Sequence, residues 1–276
     1  MKNVKRFSIL AAVLVLTLAL LAACGGGSGG ASEEDKTIKV AASPTPHAEV
    51  LNSISDALAE EGWTLEVIEF DDYVQPNVAT TDGDVDANYF QHVPYLDQYN
   101  AENGTDLVAV GNVHYEAMGA YKGQKDSFDA LADGDKIGVP NDVTNEARAL
   151  QLLAANGVIT LKDGVGLEAT KLDIVDNPNN IEIVELEAAT IPASLPDLAI
   201  GVINANYALG AGLTTDDAVA YEAADSEAAE TYVNVIVVNA GNENSEKTQA
   251  LVKAIQTDAV KDFILDKYNG AVQPKF

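Results

Sequence analysis

Apolar positions along the chain follow two periods. "TIKVAA" (37–42), "TLEVIEF" (64–70), "LVAVGNV" (107–113) and "KIGVP" (136–140) are short runs rich in β-branched residues and predict strands. "IEIVEL" (181–186) alternates, "LAIGVI" (198–203) is a continuously apolar run, and "YVNVIVVN" (232–239) is the most β-rich stretch of all. Between these runs the spacing turns helical. Val50, Leu51, Ile54, Ala57 and Leu58 share one face between His47 and Gly62, where the glycine supplies a stop. Ala147, Leu150, Leu153 and Ala154 mark a second helix, closed by Gly157. Leu251, Ala254, Ile255, Ala259, Phe263 and Ile264 mark a third between Ser245 and Tyr268, with a break expected near Thr257. Strands alternating with helices predict an α/β architecture with largely parallel sheets. Ala-Asn-Tyr follows an apolar step in both "DVDANYF" (84–90) and "GVINANYA" (201–208), which suggests two similar halves.

The N-terminus breaks this pattern. Lys2, Lys5 and Arg6 precede an apolar run from Ile9 to Leu21, too short and wrongly flanked for a mature membrane span, so it reads as a secretory signal. The run ends in Leu21-Ala22-Ala23-Cys24, which resembles a bacterial lipobox, with cleavage expected after residue 23 and a lipid (palmitate among its chains) on Cys24. Cys24 is the only cysteine, so no disulfide competes for it. Gly25 to Lys36 reads as a flexible tether, placing residues 24–35 between the lipid and a folded body. The expected localisation is the extracytoplasmic face of the cell membrane. Loss of the signal removes three positive charges and takes the formal net charge from −27 to near −30. Such acidity argues against nucleic acid and against adhesion to anionic lipid.

The body carries few signatures of catalysis. It lacks a cysteine nucleophile, G-x-S-x-G, a P-loop, G-x-G-x-x-G after a strand, and H-E-x-x-H, and no carboxylate pair stands out as an acid–base dyad. Binding without a cofactor is therefore expected, not enzymatic turnover. Arg148 is the one arginine outside the signal. With Thr144 or Asn145 as the helix cap, it would lie in or near a first turn, where a cation opposes the macrodipole unless an anion fills the gap. Free N–H groups and a forked guanidinium suit a carboxylate or phosphate. A salt bridge to one of the many acids is the plain alternative.

A second cluster lies at 70–100, where Tyr73, Tyr89, Phe90, Tyr95 and Tyr99 mix with Asn77, Asn88, Gln91 and His92. The whole chain is only 6% aromatic, so the local excess points to a pocket for an apolar tail with a polar head. Packing around Pro76 and Pro94 is the alternative, and the better one for Tyr99. His47, His92 and His114 match no zinc spacing, and no metal site is expected from them.

Eight segments in order, "FDDYVQPN", "DVDANYFQHVPYLD", "VAVGNVH", "VPNDVTNEARALQLL", "NGVITLKDGVGL", "DIVDNPNNIEIVELEA", "VINANYA" and "YVNVIV", resemble the NlpA family of methionine-binding lipoproteins, over nearly the whole body. The resemblance implies a two-lobed periplasmic-binding-protein fold, each lobe a mixed, largely parallel sheet flanked by helices, with the ligand in the cleft. Lobe I would hold 36–115 plus 232–276 and lobe II 116–231, with crossovers near Glu116–Ala120 and Glu227–Tyr232. It further implies that Arg148 grips the ligand carboxylate. Asn204 and Asn234 would hold the amino and carboxylate groups, and Tyr73, Phe90 and His92 would wrap the thioether. The same motifs add Asn88, Tyr95, His114 and Asn145 to the candidate ligand-binding set. The implied partners are L-methionine, or a methionine-containing dipeptide or another small amino acid, and an ABC permease with its cytoplasmic ATPase. Two departures from the family pattern occur. Ala117 and Gly123 in "EAMGAYKGQK" replace a usual proline and alter the segment after it, and "IPASL" lacks an arginine common in relatives. A metal-binding lipoprotein, an enzyme using His92 as base and a surface adhesin are the rival readings.

Overall fold

The computed structural model describes residues 35–223 and 228–276, so the signal, Cys24 and nearly all of the tether lie outside the described residues. Strands are numbered in chain order. The first sheet runs β13 (Val272–Pro274), β4 (Leu107–Glu116), β12 (Val233–Asn239), β3 (Ala87–His92), β1 (Thr37–Ala42), β2 (Thr64–Glu69). The second runs β11 (Ala218–Tyr221), β5 (Gly119–Lys122), β10 (Ile200–Ile203), β6 (Lys136–Pro140), β9 (Glu182–Leu186). A small antiparallel hairpin joins β7 (Thr160–Leu161) to β8 (Ile174–Asp176). Each large sheet has its own core. Ile38, Val40, Leu51, Val113 and Ile236 belong to the first, and Ile137, Val139, Leu150, Leu153 and Val202 to the second.

The sheets are more mixed than the sequence predicts. β1, β2 and β3 pair in parallel, as do β6, β9 and β10, but β12, β13, β5 and β11 all pair antiparallel. The antiparallel strands flank the two passages between lobes: β4 leads into β5 through Ala117 and Met118, and the chain returns after β11 to enter β12. Each lobe thus mixes βαβ units with strands of a chain that has crossed the cleft. Glu227, in the second expected crossover, lies outside the described residues.

Helix boundaries refine the apolar pattern. The segment from His47 divides into a turn at Pro44–Ala48 and short helices at Glu49–Asn52 and Ser55–Glu60, and Gly62 ends it at φ 85°. The long C-terminal pattern divides into Glu246–Ile255 and Asp258–Tyr268, the second capped by Thr257. The suggested internal echo fails. Ala87–Tyr89 lies in strand β3, whereas Ala205–Tyr207 opens a helix capped at Asn204, so the shared tripeptide adopts two different conformations.

Gly123 also has a local reason. A Cβ there would lie 2.2 Å from the Leu198 carbonyl oxygen, so the backbone of this departure admits only glycine. Ala193, in the segment that lacks the usual arginine, is exposed. Among the described residues no helix is long and apolar enough to cross a membrane.

Candidate functional site

The walls of the cleft come from strand ends and helix starts. The helix Val143–Ala155 begins at Asp142, whose Oδ1 accepts hydrogen bonds from the Asn145 amide N–H at 3.0 Å and from Asn145 Nδ2 at 2.9 Å. This corrects the expectation that Thr144 or Asn145 caps it. Arg148 is then the sixth helical residue, in the second turn, and the Asp142 carboxylate already supplies the anion that a helix N-terminus favours. The guanidinium is buried instead against an acid. Its Nε donates to Glu222 Oε1 at 2.7 Å, and its Nη2 donates to Glu222 Oε2 at 2.5 Å and to the Glu116 carbonyl at 2.8 Å. Its Cζ lies 4.2 Å from the centre of the Tyr232 ring. The salt-bridge alternative therefore holds, in buried form, and leaves Nη1 with no hydrogen bond among the described residues. Burial alone would ease the proton off, but Glu222 outweighs it and holds the guanidinium pKa above its ordinary value.

Strand β3 supplies the opposite wall. All six of its residues are buried. Its pairing with β12 skips Phe90, so the register carries a bulge there. The bulge brings Asn88 and Gln91, three residues apart, onto the same Asn77 side chain: Asn88 Nδ2 and Gln91 Nε2 both donate to Asn77 Oδ1. Past the bulge, Phe90 and His92 line a small cavity together with Tyr73, Tyr95, Asn145, Arg148, Asn204 and Asn234. Two candidates do not line it. Asn88 is fully buried in the Asn77 and Thr80 network behind the wall, and His114 sits behind Glu116. His47, Gln91, Glu116, Ala205 and Asn206, which the motif reading left out of the ligand set, line the cavity as well.

The two lobes touch directly. Tyr73 Oη donates to Asn206 Oδ1 at 2.5 Å, and Tyr207 Oη donates to the Asp71 carbonyl at 3.1 Å. His92 Nε2 meets Asn145 Oδ1 at 3.3 Å, and Asn204 Nδ2 donates to the same oxygen at 2.8 Å. The tautomer of His92 follows from its neighbours: Nε2–H donates to Asn145, and Nδ1 accepts from the Tyr95 amide at 3.2 Å. Burial pushes the His92 pKa down to about 3, so the ring is neutral. Asn204 Oδ1 is different. It is buried and has no hydrogen-bond partner. A buried acceptor left open costs about 1–3 kcal/mol, which is the signature of a place where a ligand donor belongs.

Below the cavity lies a buried polar cluster. His114 Nε2 contacts Glu116 Oε1 at 2.5 Å, while the Tyr89 hydroxyl contacts His114 Nδ1. His47 Nε2 lies 3.3 Å from Glu116 Oε1 and 3.0 Å from Asn234 Oδ1. Burial pushes Glu116 upward, but His47, His114 and Arg148 together hold it below the ordinary carboxylate range. Burial lowers His47 to about 4. The three groups have donor atoms close enough to hold a metal; Glu116 Oε1 is hydrogen-bonded to His114 Nε2, while His47 Nε2 is hydrogen-bonded to Asn234 Oδ1 and its Nδ1 is buried with no hydrogen-bond partner.

Two mixed sheets that meet over a cavity, aromatic on one side and polar on the other, define a two-lobed ligand-binding protein. The profile of the NlpA lipoprotein family matches residues 38–276, and the chain belongs to that family. The D-methionine-binding lipoprotein MetQ of Escherichia coli K12 is 46% identical over 212 residues, covering 76% of this chain and 77% of its own. The structure of a nutrient binding protein from Burkholderia cenocepacia bound to methionine superposes with a TM-score of 0.82 at 43% identity, over 87% of this chain and all of that one. A crystal structure from Ruminococcus gnavus ATCC 29149 superposes with a TM-score of 0.86 at 59% identity, again over 87% of this chain and all of the other.

Proposed function

We propose that this chain is the receptor of a methionine ABC importer, which captures methionine in the interlobe cavity and passes it to a membrane permease driven by a cytoplasmic ATPase. The relatives' ligand supports the substrate. The observation that carries the reading is the division of the cavity wall. Tyr73, Phe90, His92 and Tyr95 offer ring faces and edges on one side, with Tyr73 and Phe90 centred 6.0 Å apart. Arg148 Nη1, Asn204 Oδ1 and Glu116 offer unmatched polar capacity on the other. A thioether contributes about 0.3–1.5 kcal/mol against a ring edge. A zwitterionic head needs one acceptor group and one donor group, and both are present.

In this reading Asn204 Oδ1 and Glu116 receive the ammonium, and Arg148 Nη1 with the Asn234 amide receives the carboxylate. Asn145 Oδ1 is filled by His92 and Asn204 and its Nδ2 donates to Asp142, so its role is to hold the other side chains across the cleft. The lobe boundaries are proposed at the Ala117–Met118 passage and near Tyr232. Closure stabilises the complex because each wall alone satisfies only half of the ligand. The body is held to the membrane by lipid on Cys24, at the extracytoplasmic face. Cells lacking the chain should lose high-affinity uptake of labelled methionine and regain it on complementation, and unchanged uptake would refute the importer role. A Cys24→Ala form should appear in the soluble fraction, and its retention in membranes would refute the anchor.

A further inference from the structure

The mouth of the cleft is bridged by a side chain that lies outside the ligand cavity. Lobe I contributes the loop Asp71–Val74, between β2 and the helix Gln75–Asp82. The loop is tied down within its own lobe. Asp72 Oδ1 accepts from the Val74 amide at 2.7 Å and the Gln75 amide at 2.8 Å, and the Tyr73 carbonyl accepts from Tyr95 Oη at 2.9 Å. Lobe II contributes the helix Ala205–Gly210, whose first turn holds Asn206 and the half-buried Tyr207. Tyr73 Oη donates to Asn206 Oδ1, and Tyr207 Oη donates to the Asp71 carbonyl at 3.1 Å. The Tyr73 and Tyr207 rings are centred 4.9 Å apart with their planes 38° apart.

Tyr73 and Asn206 line the ligand cavity, but Tyr207 does not. Tyr207 instead lies between two grooves that adjoin the cavity. One runs along Pro44, Asp71, Pro192 and Gly210 and shares Asn206 with the cavity. The other runs along Asp72, Val74, Asp142 and Glu187 and shares Tyr73 and Tyr95 with it. Each groove draws residues from both lobes. Among the described residues, Tyr207 and Ala189 alone line both grooves. Ala189 has only a methyl group, so the Tyr207 ring is the partition. Its removal would join the grooves and bare the Tyr73 ring that walls the cavity.

We propose that Tyr207 is the latch of the cleft, a positioning residue that holds the lobes shut over the ligand without touching it. The inference rests on the methionine-receptor reading and adds a determinant of ligand release to it. Both Tyr207 contacts join protein atoms, ring to ring and hydroxyl to carbonyl, and both break when the lobes part. They stabilise the closed state alone, so they slow escape and leave entry into the open cleft unchanged.

Labelled L-methionine, preloaded and chased with excess unlabelled methionine, reads release; rapid mixing reads association. Tyr207→Ala loses the ring pair and the hydrogen bond and should release methionine at least about tenfold faster. Association should change by less than about twofold. Tyr207→Phe keeps the ring and should release about threefold faster. Tyr207→Leu has neither ring nor hydroxyl and carries the alanine expectation if the alanine form does not fold. The split between release and association is what a merely structural residue would not produce. Release unchanged in these variants, or association slowed as much as release is hastened, overturns the inference and leaves the receptor reading standing. No methionine binding by the parent protein overturns both.

Discussion

The two walls of the cavity are built by opposite means. The β3 wall is made of rings and of side chains whose hydrogen bonds are complete: His92 is spent between Asn145 and the Tyr95 amide, and Tyr95 Oη donates to the Tyr73 carbonyl. The facing wall keeps open atoms, with Nη1 of Arg148 and Oδ1 of Asn204 unmatched. A satisfied wall presents shape, and an unsatisfied wall presents demand. The difference teaches where to expect rigidity and where to expect selectivity: the tail is recognised by a preformed surface, and the head by groups that gain partners only on closure.

The largest effect should come from breaking the charged wall. Arg148→Ala leaves Glu222 buried without its cation, at a cost of about 3–5 kcal/mol. Thermal unfolding should fall by about 10 °C, since about 2–4 °C accompany each kcal/mol in a chain of this size. Arg148→Met with Glu222→Gln should recover most of that stability. A single variant that melts within a degree or two of the parent would show that the pair contributes little.

Acid should act next. The folded-state pKa of His47 is about 4 and that of His92 about 3, both below the ordinary histidine value of 6.5. The unfolded chain therefore binds protons first, and the stabilisation present above pH 6.5 is lost as pH falls towards 4. His47 alone accounts for about 3 kcal/mol over that window. Urea midpoints measured between pH 7 and 4 should decline accordingly, and a flat profile would mean that the rings take up protons in the fold as readily as in the unfolded chain.

Glu116→Gln should weaken methionine by about 2–3 kcal/mol, or about a hundredfold, because the ammonium then meets a neutral amide. Calorimetry on the variant reads this directly, and a loss below threefold would remove Glu116 from the head site. Phe90→Ala tests the other wall and should cost about 1–2 kcal/mol in methionine affinity, read by the same titration. An unchanged affinity would remove Phe90 from the tail site.

Much of this arrangement was legible in the sequence, for reasons tied to particular residues. Arg148 stood out because the body has one arginine, and Tyr73, Phe90 and Tyr95 because aromatic residues are otherwise sparse. The acids were illegible for the converse reason: Glu116 and Glu222 are two among 43 Asp and Glu residues, and only the tertiary contacts separate them from solvated ones. Asn88 and His114 were misplaced because strand alternation cannot show depth. The skipped Phe90 puts Asn88 behind the wall, and the end of β4 puts His114 below Glu116. His47 read as one of three scattered histidines, since the turn at Pro44–Ala48 that brings it under the cavity has no apolar period of its own. The cap at Asp142 was missed by a short interval, and that interval moved Arg148 out of the first turn and onto Glu222.

The most direct test of the receptor claim is a calorimetric titration of the ligand-stripped protein with L-methionine. One-to-one binding at micromolar affinity or tighter, about −8 kcal/mol or stronger, is the predicted result. Absence of heat at protein concentrations well above micromolar would contradict it.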